Sequence, residues 1–138
     1  MGQRTPGRDT ILMCSQQFAD VATVHDQQNL LDSYDELMES TEHLLRMLRS
    51  TRAQNRKTRL QLANGSSIRD VFSAIPTGDL RQSMTQAMAE VTSARHKVRQ
   101  MAFAQGLEEG MSIGELARMW GFSRQLAARY AKEARAEP

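Results

Sequence analysis

Apolar residues recur at steps of three and four along two long stretches of the chain, and each stretch predicts an amphipathic helix. The first stripe comprises Leu31, Tyr34, Met38, Thr41, Leu45 and Leu48, and Leu30, Leu37 and Leu44 widen it along one flank. The second stripe comprises Leu80, Met84, Ala87, Val91, Ala94, Val98 and Met101. Sustained three-four spacing is typical of helices that pair in coiled coils or bundles.

Helix-breaking residues divide the chain into its elements. Residues 1–9 show no periodicity and predict a flexible tail. Asn64-Gly65 ends the first helix, and Ile75-Pro76 ends a short segment capped by Ser66 or Ser67. A second long helix opens at Thr77 and ends near residues 106–110. No stretch alternates as a strand does, so the predicted class is all-α: a long helical hairpin or coiled-coil region over residues 10–94, then a three-helix unit over residues 95–138.

The two apolar stripes leave two arrangements open. They either pair with each other in an intramolecular hairpin or pair with a second copy of the chain. We expect a homodimer, because one helix of about 40 residues and a shorter one cannot shelter each other completely in a compact monomer. The predicted dimerisation residues are Leu31, Tyr34, Met38, Leu45 and Leu48 of the first helix, and Leu80, Met84, Val91 and Val98 of the second.

Charge reverses along the first long helix. Seven acids and no base lie from Asp20 to Glu42, and six bases and no acid lie from Arg46 to Arg59. Two such helices packed antiparallel would bring opposite charges together, whereas a parallel pair would align like charges, so the pattern predicts an antiparallel homodimer. Two further interpretations stay open: the charges simply complement the dipole of a solvated helix, or the basic half contacts nucleic acid.

The C-terminal residues 111–138 hold the most specific pattern. Ser112 and Glu115 have the spacing of a capping box, which predicts the start of a helix. Gly121 suits a left-handed turn, and Ser123 is placed to cap the next helix. Aromatic residues at Trp120, Phe122 and Tyr130 follow the spacing of the apolar face and are expected in the core rather than stacked on bases.

At these residues the chain resembles the helix-turn-helix of bacterial transcriptional regulators and of resolvase-like and homeodomain-like domains. Ala117 matches the small residue between the two helices, Gly121 stands at the turn four residues later, and Ser123 begins the recognition helix. Ala127 is smaller and Phe122 larger than the residues most common at their positions. The resemblance covers about 40 residues, less than a third of the chain.

The resemblance implies that the helix from Ser123 enters the major groove of DNA. From Arg118 to Arg135 the chain has five bases and one acid, which independently favours a polyanionic partner. Arginine and amide side chains pair with guanine and adenine edges, so base recognition is assigned to Arg124, Gln125 and Arg129, with Ala128 on the same face. Phosphate contacts are assigned to Arg118, Ser123, Lys132 and Arg135.

Composition excludes several other classes of protein. The 138 residues amount to about one domain, and the formal net charge of +2 decides nothing. A single cysteine, Cys14, excludes an internal disulfide and a multi-thiolate metal site, and we expect it to be inert. No apolar run is long enough to span a bilayer and no signal-peptide core is present, so a cytoplasmic, nucleoid-associated location is expected. The histidines are scattered and no phosphate-binding glycine-rich loop occurs, so neither an enzyme, a metal nor a cofactor is expected.

These patterns together predict a homodimeric regulator of transcription that binds an inverted repeat in double-stranded DNA, with repression as the expected direction. This last step is an analogy from fold. Two alternatives stay open. The chain could be a helical scaffold whose C-terminal unit docks protein, or a nucleoid or phage DNA-packaging protein that binds without regard to sequence. Any small-molecule effector is unknown.

Overall fold

The computed structural model describes the backbone of residues 8–136 and the side chains of residues 27–136. This part contains five helices and no strand: α1 (Arg8–Ala63), α2 (Ile68–Ser73), α3 (Thr77–Glu108), α4 (Ile113–Trp120) and α5 (Arg124–Ala136). The predicted all-α class is confirmed. The finer arrangement, a dimerisation region followed by a helix-turn-helix unit, stays a prediction. Of the predicted tail, only Arg8 and Asp9 are described, and they begin α1.

The ends of the helices follow local sequence signals. Gly65, with a φ of 90°, ends α1, and the N–H of Ser66 donates to the carbonyl of Gln61 at 3.1 Å. Ser67 caps α2 by accepting a hydrogen bond from the N–H of Asp70 at 3.1 Å. The predicted helix end at Asn64-Gly65 is confirmed, while α2 ends at Ser73, two residues before the predicted Ile75.

The chain forms two compact units, and their division falls within α1 and within α3. One unit, here called the long-helix unit, comprises Tyr34–Lys97. The other, here called the C-terminal unit, comprises α1 up to Ser33 together with the chain from Val98 onward. The division in α3 lies three residues after the predicted start of the C-terminal unit at Arg95. The part of α1 up to Ser33 groups with the C-terminal helices in this division.

In the long-helix unit, α1 and α3 run antiparallel within one chain. Glu36 of α1 forms an ion pair with Lys97 of α3, with 2.5 Å between the carboxylate Oε2 and Nζ. Further along α1, Thr58 lines the same cavity as Leu80 near the start of α3. Residue numbers therefore increase along α1 in the direction in which they decrease along α3, so the two helices are antiparallel.

The face of α1 that packs on α3 is not the predicted stripe but its neighbouring flank. The half-buried residues of α1 keep a three-four spacing and are Leu37, Ser40, Leu44, Met47, Thr51, Gln54, Thr58 and Gln61. The opposing residues of α3 are those predicted, with Ala87 only 1% and Ala94 4% exposed. Small residues such as Ser40 and Ala94, which line one groove, allow two helices to approach closely, and this favours the flank over the bulkier stripe.

In the C-terminal unit, the end of α3 shares one core with α4 and α5. Phe103 is completely buried at its centre, and its ring centroid lies 6.2 Å from that of Trp120, 6.3 Å from Phe122 and 5.7 Å from Tyr130. Leu116 is 2% exposed in the same core. Tilted and offset contacts of this kind stabilise aromatic clusters beyond the area they bury. The expectation that these aromatic residues belong to the core is confirmed.

Gly106 allows α3 to approach Leu116 closely. A Cβ atom at Gly106 would lie 2.8 Å from Leu116 Cδ2, whereas one at Gly78 would meet nothing within 4 Å. We expect Gly106→Val to lower the free energy of unfolding by about 1–3 kcal/mol, because the added side chain forces the buried Leu116 to shift. The matched control Gly78→Val should stay within about 0.5 kcal/mol of the parent protein. Thermal unfolding followed by circular dichroism measures both, and equal transition temperatures would refute the close packing.

A capping box makes the start of α4 sensitive to pH. Ser112 Oγ accepts the N–H of Glu115 at 3.2 Å, and the N–H of Ser112 donates to Glu115 Oε2 at 2.7 Å. These bonds lower the pKa of Glu115 below its ordinary value, chiefly through the Ser112 backbone N–H and next through its hydroxyl, with Arg118 adding a smaller effect.

Because the pKa of Glu115 is lower in the folded than in the unfolded chain, its stabilisation is complete above about pH 4.3 and is lost below that value. Lowering the pH from 6 to 3.5 should therefore reduce the free energy of unfolding of Glu115→Gln by less than that of the parent protein. The fluorescence of Trp120, the only tryptophan, measures this in denaturant titrations. Glu108→Gln removes another exposed carboxylate and should keep the parent's pH dependence. If the stability of all three proteins depended on pH in the same way, the assignment of this pH sensitivity to Glu115 would be contradicted.

Candidate nucleic-acid interface

Four local features set the connection between α4 and α5. The capping box begins α4, and Gly121, with φ 66° and ψ 31°, ends it in the left-handed region. The N–H of Phe122 then donates to the carbonyl of Ala117 at 2.9 Å. Ser123 Oγ accepts the N–H of Leu126 at 3.2 Å and begins α5. Because a side chain at a left-handed position costs roughly 1–2 kcal/mol, glycine at 121 favours this sharp turn.

The inner face of α5 consists mostly of small side chains. Ala127 is fully buried, Ala131 is 1% exposed and Tyr130 is 6% exposed. Ala117 of α4 is 5% exposed in the same core. Because α4 and α5 are packed closely together, the opposite face of α5 is held toward solvent.

All eight residues predicted to contact DNA are exposed. Six of them lie on the outer face of α5, here called the α5 face, which comprises Arg124, Gln125, Ala128, Arg129, Lys132 and Arg135. Ser123 is exposed at the start of this helix. No side chain predicted to contact a duplex is tucked into the core.

Arg118 lies apart from the α5 face. It belongs to α4, and its Nη1 atom lies 3.8 Å from the position that a Cβ of Gly114 would occupy. Its positive charge also lowers the pKa of Glu115. The described contacts therefore associate Arg118 with the first turn of α4.

The α5 face is strongly cationic. Its four basic residues are opposed within the helix by Glu133 alone, whose Oε1 lies 3.9 Å from Nε of Arg129. The side chain of Arg129 is 67% exposed, and exposed pairs of this spacing contribute only about 0.3–0.5 kcal/mol. Arg129 can therefore exchange this partner for a stronger anion.

Arg99 was missed by the sequence reasoning. It donates a hydrogen bond from Nη1 to the hydroxyl of Tyr130 at 2.9 Å, which links the end of α3 to α5. Its guanidinium also lies 5.9 Å from the ring centre of Phe122 and 6.0 Å from that of Tyr130. Arg99 is thus a positioning residue for α5. A signal was available, because Arg99 precedes the core residue Phe103 by four positions and so shares its helix face.

The predicted dimerisation residues fall into two groups. On α3, Leu80, Met84 and Val91 are half-buried and Val98 is 3% exposed within the single chain. This half of the predicted interface is therefore at least partly covered within the single chain, and its role in dimerisation stays a prediction. On α1, the predicted residues are exposed: Leu31 by 52%, Tyr34 by 44%, Met38 by 58%, Leu45 by 45% and Leu48 by 48%.

The long-helix unit also contains a cavity of about 440 Å³ that the sequence reasoning did not predict. It lies where the α1 face changes from apolar to polar residues, so that Thr51, Gln54 and Thr58 meet the apolar side chains of α2 and α3. The half-buried Met84 and the 47%-exposed Phe72 line it. Polar side chains opposite apolar ones leave this end of the unit incompletely packed.

Two further findings concern the part of the chain whose side chains are described. No group of three His, Cys, Asp or Glu residues there is arranged to hold a metal ion. No helix there combines the length and the apolar character needed to cross a bilayer. Cys14, which we expect to be inert, lies outside the described side chains.

Comparison with known proteins completes the description of the site. No protein-family model, curated protein sequence or solved structure matches this chain.

Proposed function

We propose that the chain is a sequence-specific DNA-binding regulator of transcription that acts as a homodimer on an inverted repeat. The observation that supports this most directly is the segregation of residues on α5. Ala127, Tyr130 and Ala131 lie in the core, while the arginines, lysine and glutamine of the helix are all exposed on the opposite side. A cationic helix held on a rigid core is the kind of element that the major groove accepts.

The residues of the α5 face take different roles in this proposal. Arg124 and Gln125 lie in the first turn of the helix, where side chains reach furthest into the groove, and Arg129 follows one turn later. Their side chains form paired hydrogen bonds with guanine or adenine edges. Lys132 and Arg135 lie further along and bind phosphate, which positions the helix without selecting a sequence.

Dimerisation is part of the proposal because one α5 face alone offers few contacts. A helix of 13 residues is about 20 Å long, and only its first two turns face the bases. Joining two copies makes the second binding event intramolecular and raises the overall affinity by about 10²–10⁴-fold. A two-fold symmetric dimer requires an inverted repeat in the DNA.

A second candidate, binding without regard to sequence, is favoured by a separate observation. All six basic residues from Arg46 to Arg59 on α1 are exposed. A basic stretch of this kind binds the phosphate backbone of any duplex, and such binding depends steeply on salt.

Selection of bound fragments from random DNA by the purified full chain distinguishes the candidates. The proposed function predicts enrichment of an inverted repeat. Sequence-indifferent binding predicts retention of DNA without enrichment and a steep loss of affinity with salt. If the parent protein retains no duplex at low salt, the C-terminal unit does not bind DNA and the proposal is refuted.

A matched pair of double variants locates the contact. We expect R124A/Q125A to weaken binding to the enriched sequence at least about 30-fold, because each of the two paired contacts to a base contributes about 1–3 kcal/mol. N55A/R56A removes an adjacent amide and arginine from the exposed surface of α1 and should leave affinity nearly unchanged. Fluorescence anisotropy at one fixed salt concentration measures both. If N55A/R56A lost as much affinity as R124A/Q125A or more, the DNA contact would lie on α1 instead.

A further inference from the structure

Within the long-helix unit, four of the large apolar side chains of α1 that remain exposed lie on one side of the helix. They are Tyr34, Met38, Leu45 and Leu48, and with the exposed Thr41 they form what we call the outer stripe. Its three-four spacing is that of a coiled-coil seam. The outer stripe lies about 100° around the helix from the face that packs on α3. Contiguous exposed apolar surface of this kind marks an interaction site.

We propose that the outer stripe is the homodimer interface and that it packs antiparallel against the outer stripe of a second copy. This inference takes the homodimer from the proposed function and assigns its surface and its geometry. The dimer itself is tested without DNA.

The distribution of charge on α1 argues for a second copy and against a parallel pair. Four exposed acids lie from Asp35 to Glu42, and six exposed bases lie from Arg46 to Arg59. An antiparallel copy places its basic half beside the acidic half of the first, whereas a parallel copy places like charges together. Because surface potentials act over about 8 Å at physiological salt, adjacent helices experience this difference.

Existing ion pairs on α1 do not prevent this pairing. Glu42 contacts Arg46 within its own helix at 3.7 Å, but the two side chains are 77% and 64% exposed. Such an exposed pair is weak and exchanges readily for an intermolecular one.

The heptad spacing limits the pairing to registers seven residues apart. The register that brings Met38 opposite Thr41 of the second copy sets Asp35 against Glu42, which is repulsive. The next register sets Met38 against Leu48, and Thr41 against Leu45. A further step would place Met38 opposite Asn55 and Thr41 opposite Arg52, and would keep apolar contact only between Leu45 and Leu48.

The middle register is therefore the one we assign. It places Asp35 beside Arg49 of the second copy, and Tyr34 against the stem and guanidinium of Arg52, a favourable aromatic–cation contact. One unfavourable contact remains, because the two Glu42 carboxylates meet at the two-fold axis.

Disulfide trapping tests this register. In a Cys14→Ser background, Glu42→Cys should form a covalent dimer on mild oxidation, since the two copies of residue 42 meet at the axis. Glu39→Cys lies on another side of α1 and should stay monomeric in non-reducing electrophoresis. Arg52→Cys should also stay monomeric, because the antiparallel register separates its two copies by about 27 Å along the axis. Cross-linking of Arg52→Cys without Glu42→Cys would show a parallel pair and overturn the proposal.

A matched pair of methionine variants tests the surface. Met38 is 58% and Met88 is 56% exposed, and only Met38 belongs to the outer stripe. We expect Met38→Glu to weaken dimerisation at least tenfold in sedimentation equilibrium, with unchanged helix content. Met88→Glu should leave dimerisation unchanged. Glu42→Gln should strengthen dimerisation, because it removes the repulsion at the axis.

The outcomes separate this inference from the proposed function. A monomeric parent protein, or equal effects of Met38→Glu and Met88→Glu, overturns the outer stripe as the interface. DNA binding by the α5 face can survive that result. Conversely, R124A/Q125A should weaken binding to the enriched sequence while the protein remains dimeric. Met38→Glu should weaken binding to an inverted repeat while leaving affinity for a single half-site unchanged.

Discussion

The burial of Phe103 among three other aromatic rings is the interaction on which the C-terminal unit depends. Through Trp120 it holds α4, and through Tyr130 it holds α5. Arg99 adds a hydrogen bond to the same tyrosine, so α5 is tied to α3 at both an apolar and a polar point. Since a helix can turn only one side toward a core, this packing decides that the cationic side of α5 faces solvent.

The same constraint operates on α1 with a different result. This helix has two neighbouring apolar faces, and α3 covers only one of them. The covered face includes Ser40, which lies opposite the part of α3 that contains Ala87 and Ala94. Small side chains there let the two helix backbones approach closely, and this close approach produces more contact than larger side chains would. The bulkier outer stripe is left in solvent, and its exposure supports the proposed homodimer.

Local chemistry accounts for the helix ends that could be predicted. The Ser112–Glu115 capping box, the left-handed Gly121 and the Ser123 cap each depend on bonds between residues at most five apart. Such short-range features are encoded in the local sequence. The end of α2 was less accurate, because a six-residue helix is stabilised mainly by its neighbours. The residues of the α5 face were also identifiable, since the helical period alone separates them from Ala127 and Tyr130.

The sequence by itself determined the helical class, the turn at Gly121 and which side of α5 is polar, because these depend on composition, period and capping over a few residues. Only the tertiary structure decided which of the two apolar faces of α1 packs on α3. Two adjacent stripes with the same three-four spacing are equivalent in a one-dimensional pattern, and the choice depends on how closely two helices can approach. The bond from Arg99 to Tyr130 was likewise decided by tertiary packing, since its partners lie 31 residues apart along the chain.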